Sequence, residues 1–289
     1  MRRVSVRGLL ARLAHTVDRN GAVRGAARRL VGDRARRRLV TAIGADRPQD
    51  IDLSRVELIR ERDPAWLGDP ANLERELLPA LGLCNDPRVY PEHLRPFLGR
   101  GLRHWQAPNQ FSRYLSHLAR YPIGSYLELG VWHGGTFVVT VEYLSRFNSP
   151  IRATAMDRYD SPGVRHFGRL RPEVEFVQMD TTLPEFAGEI ESRGPFDLVL
   201  VDADHAYEPC RHDVDVVRDH ANIVALHDMV DGTCAGVRQV WREMKSEWAD
   251  DWEFFEFTEQ YDEVVRNFGF PALGLGIAVR KDFEARPYG

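Results

Sequence analysis

The sequence predicts an α/β fold: a doubly wound, mostly parallel seven-stranded sheet with an antiparallel closing strand, preceded by an N-terminal helical extension. Three observations predict it. From residue 125 onward, apolar runs of strand length alternate with amphipathic stretches of helix length, the pattern of a parallel sheet covered on both faces. Acids recur at the ends of those runs: Glu128, Asp157, Asp180, Asp202 and the pair His227–Asp228. A turn with Gly130, Gly134 and Gly135 joins the first run to the stretch that follows it.

The elements follow in order. Residues 1–45 read as a basic helical arm. Val6, Leu9, Leu10, Leu13 and Val17 fall on one helical face, and twelve arginines stand against only Asp18 and Asp33 before residue 41. Such an arm is a solvated or oligomerisation element, and a homo-oligomer is expected; the alternative is peripheral docking to an anionic surface. Residues 46–100 carry seven prolines and read as an extension of short helices and loops. Residues 101–289 form the main domain. Within it, Phe111, Tyr114, Leu115 and Leu118 make a helical stripe that ends before Pro122. Just upstream, Trp105, Gln106 and Gln110 are either a lid over a ligand or a packed linker. The strands are "SYLELG", "IRATAMD", "VEFVQMD", "FDLVLVDAD", "NIVALHD", "WEFFEFT" and "LGLGIAVRK". Only a short stretch separates the last two, so they form an antiparallel closing pair.

Bulk composition excludes several classes. Hydrophobic content of 43% supports a sizeable core. The net charge of −4 leaves the chain after residue 40 clearly acidic, which argues against nucleic-acid binding by the whole protein. Three cysteines without CxxC spacing give neither a disulfide framework nor a zinc knuckle, and a reducing cytoplasmic compartment is expected. No apolar run approaches the roughly 20 residues of a membrane span. The N-terminal stretch lacks the apolar core of a secretory signal.

The acids carry the functional reading. In an open α/β sheet, ligands sit outside the carboxyl ends of the strands, and a purely structural sheet does not need an acid at each one. A single Asp157 would read as a turn or helix-cap residue; the series outweighs that. "ELGVWHGGT" lacks the GxGxxG spacing of dinucleotide folds. It also sets Glu128 two residues before the first glycine, where the acid would repel a phosphate and suit a ligand bearing positive charge.

Taken in order, "YLELGVWHGGT", "AMD", "VEFVQMD", "FDLVLVDADHAY" and "IVALHDMVDGT" resemble the class I S-adenosylmethionine-dependent methyltransferases over about residues 100–281. The resemblance implies a Rossmann-like fold with S-adenosylmethionine as cofactor. Glu128, Gly130 and Gly134 would line its site near the methionine end, Asp157 would accept from the ribose hydroxyls, and Asp180 would neighbour the adenine amine. The layout is similar to metal-dependent O-methyltransferases acting on sugars and natural products. That implies Asp202 and Asp228 holding Mg²⁺, His205 as the base, and a small-molecule acceptor. In this sequence His227–Asp228 stands where two oxygen ligands are expected, so the third ligand is open among His227, Asp204 and Asp231.

Three rival readings stay open. A metal-independent methyltransferase would use Asp202 and His205 as an oriented base. A dehydrogenase is disfavoured by the missing glycine spacing. A non-catalytic assembly protein would depend on the basic arm.

Overall fold

A computed structural model of the chain describes residues 47–148 and 150–286. The expectations for the basic arm, residues 1–45, lie outside the described residues. Residues 48–289 form one compact unit.

Its centre is a seven-stranded sheet: β1 (Ser125–Leu129), β2 (Arg152–Asp157), β3 (Val174–Gln178), β4 (Phe196–Val201), β5 (Ala221–His227), β6 (Trp252–Phe257) and β7 (Leu275–Arg280). The spatial order is β3-β2-β1-β4-β5-β7-β6. The first five strands are parallel, and β7 runs antiparallel to both β5 and β6. The expected antiparallel pair is present, with one difference: the last strand does not close the sheet but inserts between β5 and β6. Burial explains the placement. "LGIAVR" is apolar and buried on both faces except at its end, as an internal strand must be. "WEFFEF" and "VEFVQ" are only partly buried, and they form the two edges.

Helices cover both faces. Numbered from the first long one, they are α1 (Pro108–Leu118), α2 (Gly135–Leu144), α3 (Pro162–Leu170), α4 (Phe186–Arg193), α5 (Tyr207–Arg218), α6 (Ala235–Glu247) and α7 (Asp262–Phe268). Strand alternation sorts the core. Tyr126, Leu198, Leu200, Ile223 and Ala225 pack with α1, α2 and α3. Leu127, Leu129, Val199, Val201, Val224 and Leu226 pack with α4, α5 and α6. Each fully buried apolar side chain contributes about 1.5–3 kcal/mol.

The proline-rich segment folds into short helical turns, with Pro64 and Pro70 in first-turn positions behind the side-chain caps Asp63 and Asp69. Its Leu53, Ile59, Leu67, Leu73 and Leu78 belong to the same core as α1 and α2. A half-buried ion-pair cluster fastens it further: Glu142 of α2, 1% exposed, accepts from Arg60 Nε at 2.9 Å, Arg60 Nη2 at 2.6 Å and Arg171 Nη1 at 3.0 Å.

Connections from β1 lead to one side of the sheet and those from β4 to the other, so the chain reverses between these neighbours. A crevice opens at their carboxyl ends, where such folds take ligands.

Candidate functional site

A cleft of about 470 Å³ occupies that crevice. Gly130 sets its floor. Its φ of +84° is in the left-handed region, and a Cβ there would stand 2.3 Å from the Asp202 carbonyl oxygen. The ends of β1 and β4 can therefore meet only through glycine. Asp157 holds the turn above: its Oδ2 accepts from the backbone N–H of Val131 at 2.9 Å and of Trp132 at 2.8 Å, and its Oδ1 accepts from Tyr159 N–H at 2.8 Å. Four non-glycine residues have positive φ among those described: Arg103, Trp132, Asp228 and Leu273, at 56°, 48°, 58° and 58°. All four line the cleft. Strain of about 1–3 kcal/mol per residue concentrated at one cavity points to a function there.

On the β1–β3 side, Glu128 is 1% exposed and accepts from the Tyr126 hydroxyl. Burial pushes its carboxyl well above the usual range, and the charges of Asp202 and Asp157 add to the effect. Asp180 accepts from Thr182 Oγ1 at 2.7 Å and Thr182 N–H at 3.0 Å through Oδ1, and the Thr182 hydroxyl, the backbone bond and Arg158 hold it below the usual range.

At the ends of β4 and β5, the parallel register Val201↔Leu226 carries Asp202 and the pair His227–Asp228 to the same level. His227 Nδ1 stands 3.0 Å from Asp202 Oδ1 and 3.4 Å from Asp228 Oδ1. His205 lies across the same carboxylates, Nε2 at 3.2 Å from Asp202 Oδ1 and Nδ1 at 3.4 Å from Asp228 Oδ2. Cys234 Sγ is 3.5 Å from Asp228 Oδ2. Two sets of ligand atoms result, each within 4.8 Å: Asp202, His227 and Asp228, and His205, Asp228 and Cys234.

The electrostatics are those of two acids sharing two imidazoles. Burial opposes charge on His205, but hydrogen bonds to Asp202 and Cys234 and the charges of both acids push it up to about 12. Burial likewise opposes charge on His227, and Asp202 and Asp228 push it up to about 9. At Asp202 burial is outweighed by the His227 charge and by bonds from both histidines, which hold the carboxyl down at about 2. At Asp228 burial prevails and the carboxyl is raised.

Of the residues expected at the site, Glu128, Gly130, Asp157, Asp180, Asp202, His205 and Asp228 all line the cleft. Gly134 does not. Its φ is +89°, and a Cβ there would meet Val164 Cγ2 of α3 at 2.3 Å, so it serves the turn and the packing behind it. Of the three residues expected to form either a lid or a packed linker, Trp105 lines the cleft, whereas Gln110 is 1% exposed and bridges α1 to the β6–β7 connection through Glu259 O, Ala272 O and Gly274 N–H. Gln106 is fully buried. The reserve ligands are engaged in turns. Asp204 Oδ1 accepts from Ala206 N–H at 2.9 Å, ahead of α5. Asp231 Oδ1 accepts from Thr233 N–H and Oγ1 at 2.8 and 2.6 Å. Sequence reasoning left His227 open and passed over Cys234 and Tyr126. Cys234 lies six residues past Asp228 in a loop without regular spacing, so no pattern could mark it.

Residues 127–229, from β1 to just past β5, match the family model described as a methyltransferase domain. Among solved structures, the chain is similar to an O-methyltransferase from Bacillus cereus in complex with SAH (S-adenosylhomocysteine), at 15% identity over 84% of this chain and 96% of that one, TM-score 0.44. It is similar to cofactor-bound Rv0187 from MTB, at 18% identity over 60% and 80%, TM-score 0.42. It is also similar to the MycE methyltransferase of the mycinamycin biosynthetic pathway in complex with Mg and SAH, at 18% identity over 65% of this chain and 53% of that one, TM-score 0.42. No curated protein matches the chain.

Proposed function

We propose that the chain transfers a methyl group from S-adenosylmethionine to a hydroxyl of a small acceptor, with a divalent cation held by Asp202 and Asp228. One observation carries the reading: Asp202, His227 and Asp228 converge in the same cleft as Glu128, Gly130, Asp157 and Asp180. The choice of a sugar or glycosylated metabolite as acceptor rests on the sequence resemblance, and so does a cytoplasmic setting on cysteine usage. No helix among the described residues is long and apolar enough to cross a membrane.

The cofactor half of the cleft suits this ligand. Glu128, its carboxyl raised mainly by burial, gains an ionic partner when a positively charged group arrives. Asp157 Oδ1 has one backbone donor and keeps a lone pair for a ribose hydroxyl. Asp180 Oδ2 is available to an amine.

The donor set fits a dication. Two carboxylates face each other across an imidazole, and the buried Asp228 Oδ1 has no hydrogen-bond partner among the described residues. A bound dication would make an acceptor hydroxyl easier to deprotonate. His205 is the nearest base. Both its nitrogens face carboxylates, which keep it protonated. Once their charge is compensated, the imidazole falls toward its ordinary range and takes a proton at Nε2. Asp202 and Asp228 also fix the ring in the cleft, which sets the alignment that in-line transfer needs.

The metal-independent alternative, an Asp202–His205 base, has the 3.2 Å contact in its favour. Against it, an imidazole pushed up to about 12 is already protonated near neutrality and has no lone pair free to accept a proton.

Calorimetric titration of the full chain with SAH, with and without a divalent ion, tests the reading. Saturable one-site binding is expected in both series. No binding in either would end it.

A further inference from the structure

We propose that the dication taken at the ends of β4 and β5 is a first-row transition-metal ion rather than Mg²⁺, with His227 as its nitrogen ligand. The inference rests on the divalent-cation part of the proposed function and replaces the ion that the sequence resemblance implies.

The donor chemistry carries it. Mg²⁺ takes oxygen ligands and keeps most of its water. Imidazole and thiol donors favour the later first-row ions. Here the atom between the two carboxylates is a nitrogen, His227 Nδ1, with Asp202 Oδ1 at 3.0 Å and Asp228 Oδ1 at 3.4 Å. Bonds of about 2.1 Å give ligand-to-ligand edges of about 3.0 Å in an octahedron and about 3.4 Å in a tetrahedron. The two measured edges at Nδ1 match those lengths, and the three donor atoms all lie within 4.8 Å of one another. A hard oxygen cage would place a carboxylate or amide oxygen where Nδ1 stands.

Two further observations agree. His227 is 4% exposed, and Asp228 Oδ1 is without a hydrogen-bond partner among the described residues, although the Asp228 side chain is nine-tenths buried. Asp228 belongs as well to the second donor set, whose other members are an imidazole and a thiol, His205 and Cys234. An ion entering this pocket meets two nitrogens and a sulfur beside its two acids.

The test uses the full chain stripped with EDTA, titrated with Co²⁺ or Mg²⁺ alone. Calorimetry gives affinities, and the visible absorption of Co²⁺ reports its ligands independently of turnover. Co²⁺ is expected to bind at least ~100-fold more tightly than Mg²⁺, with an intense, low-symmetry Co²⁺ spectrum. In His227→Asn, the amide oxygen reaches about where Nδ1 stands. That variant should narrow the Co²⁺ preference at least ~10-fold and alter the spectrum. SAH binding, measured on the same sample, verifies that the variant is folded. A wild-type preference below about 10-fold, or an unchanged preference in the variant, overturns the proposal. Binding of neither ion overturns it together with the cation in the proposed function. Retained SAH binding in that case leaves the methyltransferase reading intact.

Discussion

His205 shows how much a single side chain depends on its neighbours. Its ring spans Asp202 and Asp228, and although burial opposes its charge, hydrogen bonds to Asp202 and Cys234 and the two acids' charges push it up to about 12. As the proposed base it should be sensitive to replacement without affecting cofactor binding. His205→Gln should lower kcat by about 10²–10⁴, the usual worth of a positioned acid or base, and leave the dissociation constant for SAH within about twofold. Initial-rate kinetics and calorimetry on one preparation check both halves. A smaller loss in kcat would mean that another group takes the proton. Of these residues, Asp202 and His205 were legible in the sequence because the three-residue step "DADH" follows an apolar run. Gly134 was misplaced because sequence cannot say which way a left-handed glycine turns its missing side chain. Here that direction is toward Val164.

Helix α5 illustrates what an element can hide. Asp213 is fully buried on it, with one hydrogen bond, from Thr181 Oγ1 at 3.1 Å. Burial pushes its carboxyl up to about 7 from 3.8, and the charges of Asp204 and Asp180 add to this. A group whose folded pKa is raised contributes fully below its unfolded pKa, and the contribution is lost as pH rises through the folded value. Stability should therefore fall between pH 3.8 and 7 because of this residue. Asp213→Asn should flatten that fall and raise stability at pH 8 by roughly 2–4 kcal/mol. Urea unfolding at a series of pH values would show it, and a lower midpoint for the variant at pH 8 would refute it. Most elements were legible, because the internal strands are continuous apolar runs and α2, α5 and α6 follow them at regular distances. Helices α3 and α4 were not: "PGVRHFGRL" and "FAGEIESR" are short and broken by glycine, and they form because the sheet offers Val164, Phe167, Phe186 and Ile190 a place to be buried. The order of the last two strands escaped for a similar reason. Adjacency in sequence does not say which partner of a pair lies inside.

In the whole unit, the proline-rich extension and the sheet share one core, so a boundary drawn by composition at residue 100 does not separate two folding units. The cleft draws on both parts, with Asp86, Arg88, Arg103 and Trp105 on one wall and the strand ends on the other. Asp86, Arg88 and Arg103 were thus beyond sequence reasoning, since nothing around them repeats or spaces like a motif, whereas Trp105 was a lid candidate. The close approach of the Gly130 backbone to Asp202, where a Cβ would stand 2.3 Å from the carbonyl oxygen, has a thermodynamic consequence for the proposed function. If S-adenosylmethionine and a dication bind as proposed, the floor under one and the backbone of a ligand to the other are continuous, and their binding is expected to be coupled. If the ion tightens SAH binding by some factor, SAH must tighten ion binding by the same factor, because both routes close one cycle. A coupling of about 1–3 kcal/mol, or about 5–150-fold, is the expected size. Four titrations, each ligand with and without the other, measure it from both sides. A factor of one on either side would mean that the shared backbone does not transmit the signal.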